Sequence, residues 1–264
     1  MPNGFSPLFR GLGVFFLSFA FTNPNKTMKT TIWLAASLAF ALTAATPPTH
    51  KPGEWASLFD GKTMTGWHNY LKTEANGWKI EDGALTSATD NHDGDLVSDK
   101  EYGDFELEFT FKTQAKNGNG GVLYKVIEDP KNFATYASGP EFQVIDDKGY
   151  EWMDGKTGKR LTLSNKQMTG ASYDIMAPAD LNAANPVGEW NKGRIVVKAN
   201  HIEHYVNGKK VVEYDYGSDA WKAMVAQSKF AKWSYATAHE RGKIALQGHG
   251  NDKAWYKDIK IREL

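Results

Sequence analysis

Residues 104–112, Asp-Phe-Glu-Leu-Glu-Phe-Thr-Phe-Lys, alternate without a break. Phe105, Leu107, Phe109 and Phe111 fall on one side, and Glu106, Glu108, Thr110 and Lys112 on the other. Only a period of two sorts these residues cleanly, so the segment is a strand with one apolar and one wet face. Such a strand belongs to an antiparallel sheet. Asp82-Gly83 and Asn207-Gly208 each separate two strand-like runs. Both dipeptides favour the left-handed conformations of a tight hairpin turn. Further strands are expected at 95–98, 120–127, 140–146, 172–176, 193–199, 243–248 and 254–262. Ser218 reads as an N-cap, followed by helix formers to about Lys229. The stretch 147–170 reads as a long connection with room for a helical turn. The expected architecture is all-β, a jelly-roll sandwich of two antiparallel sheets with one short helix.

The first 50 residues stand outside that pattern. Met28-Lys29 opens a short basic start, then an apolar run from Ile32 to Leu42, then small residues at Thr43-Ala44-Ala45. This is the plan of a secretory signal peptide with cleavage after Ala45. Residues 1–27 precede it and read as an extension from a start codon placed too far upstream. The expected organisation is therefore 1–45 extension plus signal peptide, 46–53 linker and 54–264 the folded domain. The run is short for a membrane span, and no cysteine follows it to carry a lipid, so no membrane anchor is expected after cleavage. The mature protein is expected in the periplasm or outside the cell.

Lysine plus arginine and aspartate plus glutamate number 31 each. That balance leaves no electrostatic footprint for nucleic acid. The chain has no cysteine, which removes thiolate chemistry and disulfides. Nine tryptophans and an aromatic share of 13% exceed what a core of this size needs. Sugar-binding proteins use such an excess to pack against the C–H faces of pyranose rings.

Polar residues interrupt the later strands. Glu141 and Gln143 share a face, as do Gln247 and His249, while His204 lies on the side of Ile202 and Val206. Glu141, His204 and His249 are the candidate catalytic groups of a sheet face built for a polar ligand. Trp190 is expected near its rim as a sugar platform, because Glu189 and Asn191 bracket it. Trp67 and Trp78 read as core, His201 as surface, and Trp152 as a loop residue able to close over a ligand. No His-Glu-x-x-His run or EF-hand loop exists. Histidines and carboxylates could still meet in space around a divalent ion, so the metal content stays open.

The motifs SLFDGKTMTGW (57–67), WKIEDGAL (78–85), YGDFELEFTFK (102–112), NGGVLYK (119–125), PEFQVID (140–146), APADLNAANPVGEWN (177–191), HIEHYVNGKKV (201–211) and IALQGHG (244–250) occur in one order. Together they resemble the 3-keto-disaccharide hydrolase domain family, whose fold is of the concanavalin A-like lectin/glucanase type. The resemblance implies a carbohydrate substrate already oxidised to a ketone at C3 by an upstream glycoside 3-oxidoreductase. A C3 ketone acidifies the C2 proton, so a base can expel the aglycone from C1 by β-elimination, and water then adds to the enone. The expected substrate-binding residues are Gln143, Gln247 and Trp190 and, by family position, Lys125 and Lys100. The family fold implies that the strands bearing Glu141, Gln143, His204 and His249 converge on one concave sheet face. Two departures stand out. Lys125 occupies a place usually held by arginine, and Gly248 replaces an aspartate before His-Gly. Two other readings stay open: a laminarinase-like retaining glycosidase using Glu141 and Asp146, which would need a β-bulge to share a face, and a non-catalytic carbohydrate-binding module.

Overall fold

In a computed structural model, residues 52–88 and 94–264 are described. The expected signal peptide, its cleavage site and the linker up to Lys51 lie outside the described residues. In chain order the strands are β1 (Ala56–Ser57), β2 (Trp67–Asn69), β3 (Trp78–Glu81), β4 (Ala84–Ser87) and β5 (Leu96–Tyr102). Then come β6 (Phe105–Thr113), β7 (Asn119–Val126), β8 (Glu141–Ile145), β9 (Glu151–Met153) and β10 (Arg160–Thr162). The last are β11 (Asn191–Lys198), β12 (His201–Val206), β13 (Lys209–Asp215), β14 (Gly242–Gly248) and β15 (Ala254–Glu263), with the helix α1 (Asp219–Ala226) before β14.

Two antiparallel sheets make the sandwich. One runs β13-β12-β11-β6-β15-β4-β3, with β1 also paired to β15; the other runs β2-β5-β14-β7-β8. The alternating strand β6 sits inside the first sheet, between β11 and β15. Phe105, Leu107, Phe109 and Phe111 are fully buried against the second sheet's Val122, Tyr124, Phe142, Val144 and Leu246. Each such side chain contributes about 1.5–3 kcal/mol by leaving water. Trp67 and Trp78 join this core, as expected. On the outer side of β6, Glu106 is buried too, and accepts hydrogen bonds from Arg194 Nη1 at 2.9 Å and Arg262 Nε at 2.8 Å. Both hairpin dipeptides adopt the turn they imply, with φ of 49° at Asp82 and Asn207 and 74° and 84° at the following glycines.

Two expectations are corrected. Residues 172–176 form no strand: Ser172 makes only isolated bridges to Phe142 and Met176, because the chain turns back on itself there. The stretch 147–170 is more than a connection, since β9 and β10 pair as a small separate hairpin, while the helical turn it had room for is present at Asn165–Gln167.

The helix also ends earlier than expected. Ser218 caps it, with Trp221 N donating to Ser218 Oγ at 3.1 Å, and Trp221 and Val225 anchor its inner face. After Ala226 the chain tightens. Ser228 Oγ donates to Val225 O at 2.8 Å and accepts from Phe230 N at 3.1 Å, starting a 3-10 turn at Lys229–Lys232. Phe230 stacks on Tyr235 with centroids 4.3 Å apart. This turn carries Lys229 and Trp233 to the cavity described next.

Candidate active site

The five-stranded sheet has two unlike faces. Its inner face is the core. Its outer face carries Glu141 and Gln143 from β8, Asn119 from β7 and Gln247 from β14, with His249 just past the strand end. These five, together with Tyr136, Tyr173, Lys229, Phe230 and Trp233, line a cavity of about 290 Å³. Register explains the convergence. Gln143 lies opposite Gly121, and Gly121 opposite Gln247, so the three strands present one row.

Glycine makes the cavity floor. A Cβ on Gly121 would stand 2.1 Å from Glu141 Oε1, so the carboxyl lies directly over a backbone that has no side chain. Gly120, on the opposite face, leaves room for the Tyr256 hydroxyl, which a Cβ would approach to 2.2 Å. The Asn-Gly-Gly run thus serves both faces at once.

Glu141 is 6% exposed. Burial pushes its carboxyl up to about 8; Lys229 opposes this, while Asp95 and Asp174 reinforce it. A carboxyl in that position is protonated at neutral pH. Gln143, with its amide turned to donate, gives hydrogen bonds to Glu141 Oε1 and Gly120 O, both 2.9 Å. His249 Nε2 lies 2.7 Å from Gln247 Oε1. An amide oxygen only accepts, so Nε2 carries the proton and Nδ1 keeps its lone pair. Burial lowers the imidazole below its ordinary value, partly offset by Asp252. The site therefore pairs a neutral carboxylic acid with a neutral imidazole.

The walls were not legible beforehand. Lys229 Nζ lies 3.3 Å from Asp174 Oδ2 and 4.4 Å from the Tyr173 ring centre. Phe133, 63% exposed, extends the rim, edge-on to Trp233 at 5.0 Å and to Tyr136 at 5.6 Å. Asp95, immediately before β5, accepts a hydrogen bond from Thr135 Oγ1 and one from Gly248 N at 3.2 Å. Burial pushes it up to about 6. A carboxylate thus does stand beside Gly248, supplied from another strand. None of these residues carries a periodicity or spacing that marks it. Only the glycine pair 120–121, out of keeping with an apolar strand, offered a signal.

Four expected site residues lie elsewhere. His204 is fully buried between the sheets, with Nε2 2.8 Å from Tyr124 Oη and Nδ1 3.0 Å from Gly170 O. It shares the face of Ile202 and Val206, as its parity requires, but that face is the core, and burial drives its imidazole down to about 4. Lys125 is also buried. Together with Tyr124 it forms a bulge opposite Ile244, with φ of 55° at Lys125, and its Nζ donates to Glu240 O at 2.5 Å. Trp190 does not reach the rim; it lies over the outer side of the other sheet, where Lys257 and Lys112 approach its ring at 4.1 and 4.7 Å. Lys100 is exposed, 3.6 Å from Glu263.

Asp146, the expected second acid of a laminarinase-like pair, is turned into a loop. Its carboxylate accepts from the backbone N–H groups of Asn117, Lys148 and Gly149. Among the described residues, the three metal-ligating side chains that come within 4.8 Å of one another are His201, Glu203 and Glu213. They lie on β12 and β13 of the other sheet, where Lys210 already bridges the two glutamates.

Residues 54–262 match the model of the 3-keto-alpha-glucoside-1,2-lyase-like domain. A 3-keto-disaccharide hydrolase of Bacteroides thetaiotaomicron is 33% identical over 236 residues, covering 80% of this chain and 78% of that protein. A crystal structure of a putative glycosyl hydrolase from Parabacteroides distasonis superposes with a TM-score of 0.72 at 35% identity, covering 80% of this chain and 94% of that one. A second from the same organism gives 0.60 at 28% identity, covering 80% and 100%. The order of motifs, the two-sheet sandwich and these matches agree: the chain belongs to the family of 3-keto-alpha-glucoside-1,2-lyase-like domains.

Proposed function

We propose that this chain is an exported enzyme cleaving 3-keto-glycosides, 3-keto-disaccharides among them, by elimination across C1–C2 and rehydration. The observation that carries the reading is the pairing of a protonated Glu141 with a neutral His249 across one small cavity. The printed name of the Bacteroides relative supports the substrate class.

Each group then has a task its chemistry suits. His249 Nδ1 takes the proton from C2, and the electron pair moves toward the C3 oxygen, where the Lys229 cation stabilises the developing negative charge. The enolate collapses to the C1=C2 enone as the C1–O bond breaks. Glu141 gives its proton to the departing oxygen. Water then adds to C1, its second proton returning to Glu141, while His249, its imidazolium proton exchanged with solvent during the life of the enone, protonates C2. The sum is hydrolysis, with no net change in either residue. The rim of Phe133, Tyr136 and Trp233 is a platform for the second ring. An oxidoreductase acting on the C3 hydroxyl supplies the substrate, and the signal peptide of the unprocessed chain carries the enzyme out of the cytoplasm.

A retaining glycosidase would need two carboxylates about 5–5.5 Å apart, one of them ionised as nucleophile. Asp146 does not line the cavity that holds Glu141, and Glu141 is protonated, so that reading lacks its nucleophile. The test is turnover of a 3-keto-glucoside in D₂O. Deuterium is expected at C2 of the product, and the unoxidised parent is expected to be inert. Product without deuterium, or equal turnover of the parent, overturns elimination.

A further inference from the structure

One group in the cavity has unused capacity that the reaction does not employ. Asn119 is 7% exposed and lines the cavity. Its Nδ2 donates to Tyr150 Oη at 3.1 Å, and Tyr150 Oη in turn donates to Asp252 Oδ2 at 3.4 Å. That chain fixes the orientation of the amide. The carboxylate can only accept, so the Tyr150 proton points to it, and the phenol oxygen must accept from Asn119. Oδ1 is thereby left as the free end, and it is buried with no hydrogen-bond partner in the protein. Buried acceptors are nearly always satisfied, and an exception calls for a physical reason.

We infer that Asn119 Oδ1 receives a hydroxyl of the sugar ring and makes Asn119 a specificity-determining residue. The placement fits one ring. Asn119 lies two positions before Gly121 on the same face of β7, a separation of about 6.6–6.8 Å along a strand. With the reacting end of the sugar held over Gly121 by Glu141, a hydroxyl on the far side of the same ring reaches Asn119. A hydroxyl is required there, because only a donor satisfies Oδ1; an ether, a methyl group or a bare C–H does not. The residue therefore selects a glycone that keeps this hydroxyl free and rejects deoxy or O-alkylated sugars at that position. This inference rests on reading the cavity as a glycoside site.

The test compares wild type, Asn119→Ala and Asn119→Asp on a 3-keto-glucoside and its 2-, 4- and 6-deoxy analogues. Wild type is expected to prefer the parent over one analogue by about 10–100-fold in kcat/KM, the usual range for stranding a buried polar group. Asn119→Ala should bring that ratio close to one. Asn119→Asp keeps an acceptor oxygen but loses the donor to Tyr150, and it should retain the preference. If Asn119 only props up Tyr150, both variants will lose activity on parent and analogues alike with the ratio unchanged, which overturns the inference. Calorimetric binding of the unoxidised glucoside and its deoxy analogues reads the same ratio without turnover. A protein that processes no 3-keto-glycoside yet shows the Asn119-dependent binding preference defeats the proposed reaction alone. No preference in either measurement defeats the inference.

Discussion

The two faces of β8 are equally buried and chemically opposite. Glu141 and Gln143 point outward to the cavity, Phe142 and Val144 inward to the core, and no residue of the strand is exposed. Each face has an ionisable group beside it, Glu141 on one and His204 on the other. Both are desolvated, and burial shifts both toward the neutral form. What separates them is how many of their bonds are filled. Both nitrogens of His204 are engaged, by Tyr124 and by Gly170, so the imidazole is a strut between the sheets. Glu141 receives the Gln143 amide and otherwise faces the cavity. A buried titratable group with every bond filled holds structure; one that faces a cavity with capacity left is placed for chemistry.

The largest effect that could break this distinction is on rate. Glu141→Gln and His249→Ala should each lower kcat by about 10²–10⁴-fold, the usual worth of a positioned acid or base. Wild-type activity should fall as pH rises through about 8, where Glu141 loses its proton, and also in acid, where His249 gains one. Glu141→Gln should simultaneously stabilise the protein. Its carboxyl ionises near its ordinary value in the unfolded chain but only near 8 in the native state. Wild type therefore loses stability between roughly pH 4.5 and 8, and the amide does not. A melting temperature higher by on the order of 5 °C at pH 8.5, vanishing near pH 4, is expected from thermal scans. A variant no more stable at pH 8.5 than at pH 4 would mean that the carboxyl is ionised in the native state.

The adjacent glycines sharpen the comparison, because a methyl group can be added to either face. Gly121→Ala pushes Glu141 aside and should cost about 100-fold in kcat, as displacements near 1 Å do, with the melting temperature nearly kept. Gly120→Ala instead meets Tyr256 and should cost about 1–3 kcal/mol of stability by overpacking, with kcat in the folded protein retained. Denaturant titration alongside kinetics separates the two. The same loss in both variants would show that the faces are not independent.

His204→Phe should remove about 1–3 kcal/mol by leaving Gly170 O unpaired in the core, with kcat of the folded protein unchanged. It should also flatten one limb of the stability curve. The native imidazole protonates only near 4, so wild type loses stability as pH falls from about 6.5 to 4, a loss the phenyl ring cannot show. Smallest of all, Trp190→Ala should cost less than about 1 kcal/mol, the scale of its exposed cation–π contacts, and leave kcat/KM intact. A large fall in kcat/KM for Trp190→Ala would return that ring to the substrate.

Much of the site was visible one strand at a time. Parity put Glu141 beside Gln143, and the glycine-flanked His249 was expected at the end of its strand, where it is found. The same parity placed His204 correctly among Ile202 and Val206 without revealing that this was the inner face, because alternation gives two faces and no label. Trp190 went astray for a related reason: bracketing by polar residues marks a surface but not which surface.

What the sequence by itself determined is the long strands of the two sheets, the hairpin turns at Asp82-Gly83 and Asn207-Gly208 and the sorting of each strand into two faces, since these follow from period-two patterning and from dipeptides tolerant of positive φ. The β9–β10 hairpin and the chain reversal at 172–176 lay outside its reach. Which faces meet is another matter. Asn119, Gln143 and Gln247 share a site only because β8, β7 and β14 pair in one register, and contacts this far apart in the chain leave no local trace. Lys229 reaches Glu141 because the helix stops at Ala226 and tightens around Ser228. Asp95 stands by Gly248 because β5 pairs with β14. Only the tertiary structure decided these, and with them the desolvation that keeps Glu141 protonated, since a proton affinity belongs to a surrounding rather than to a residue.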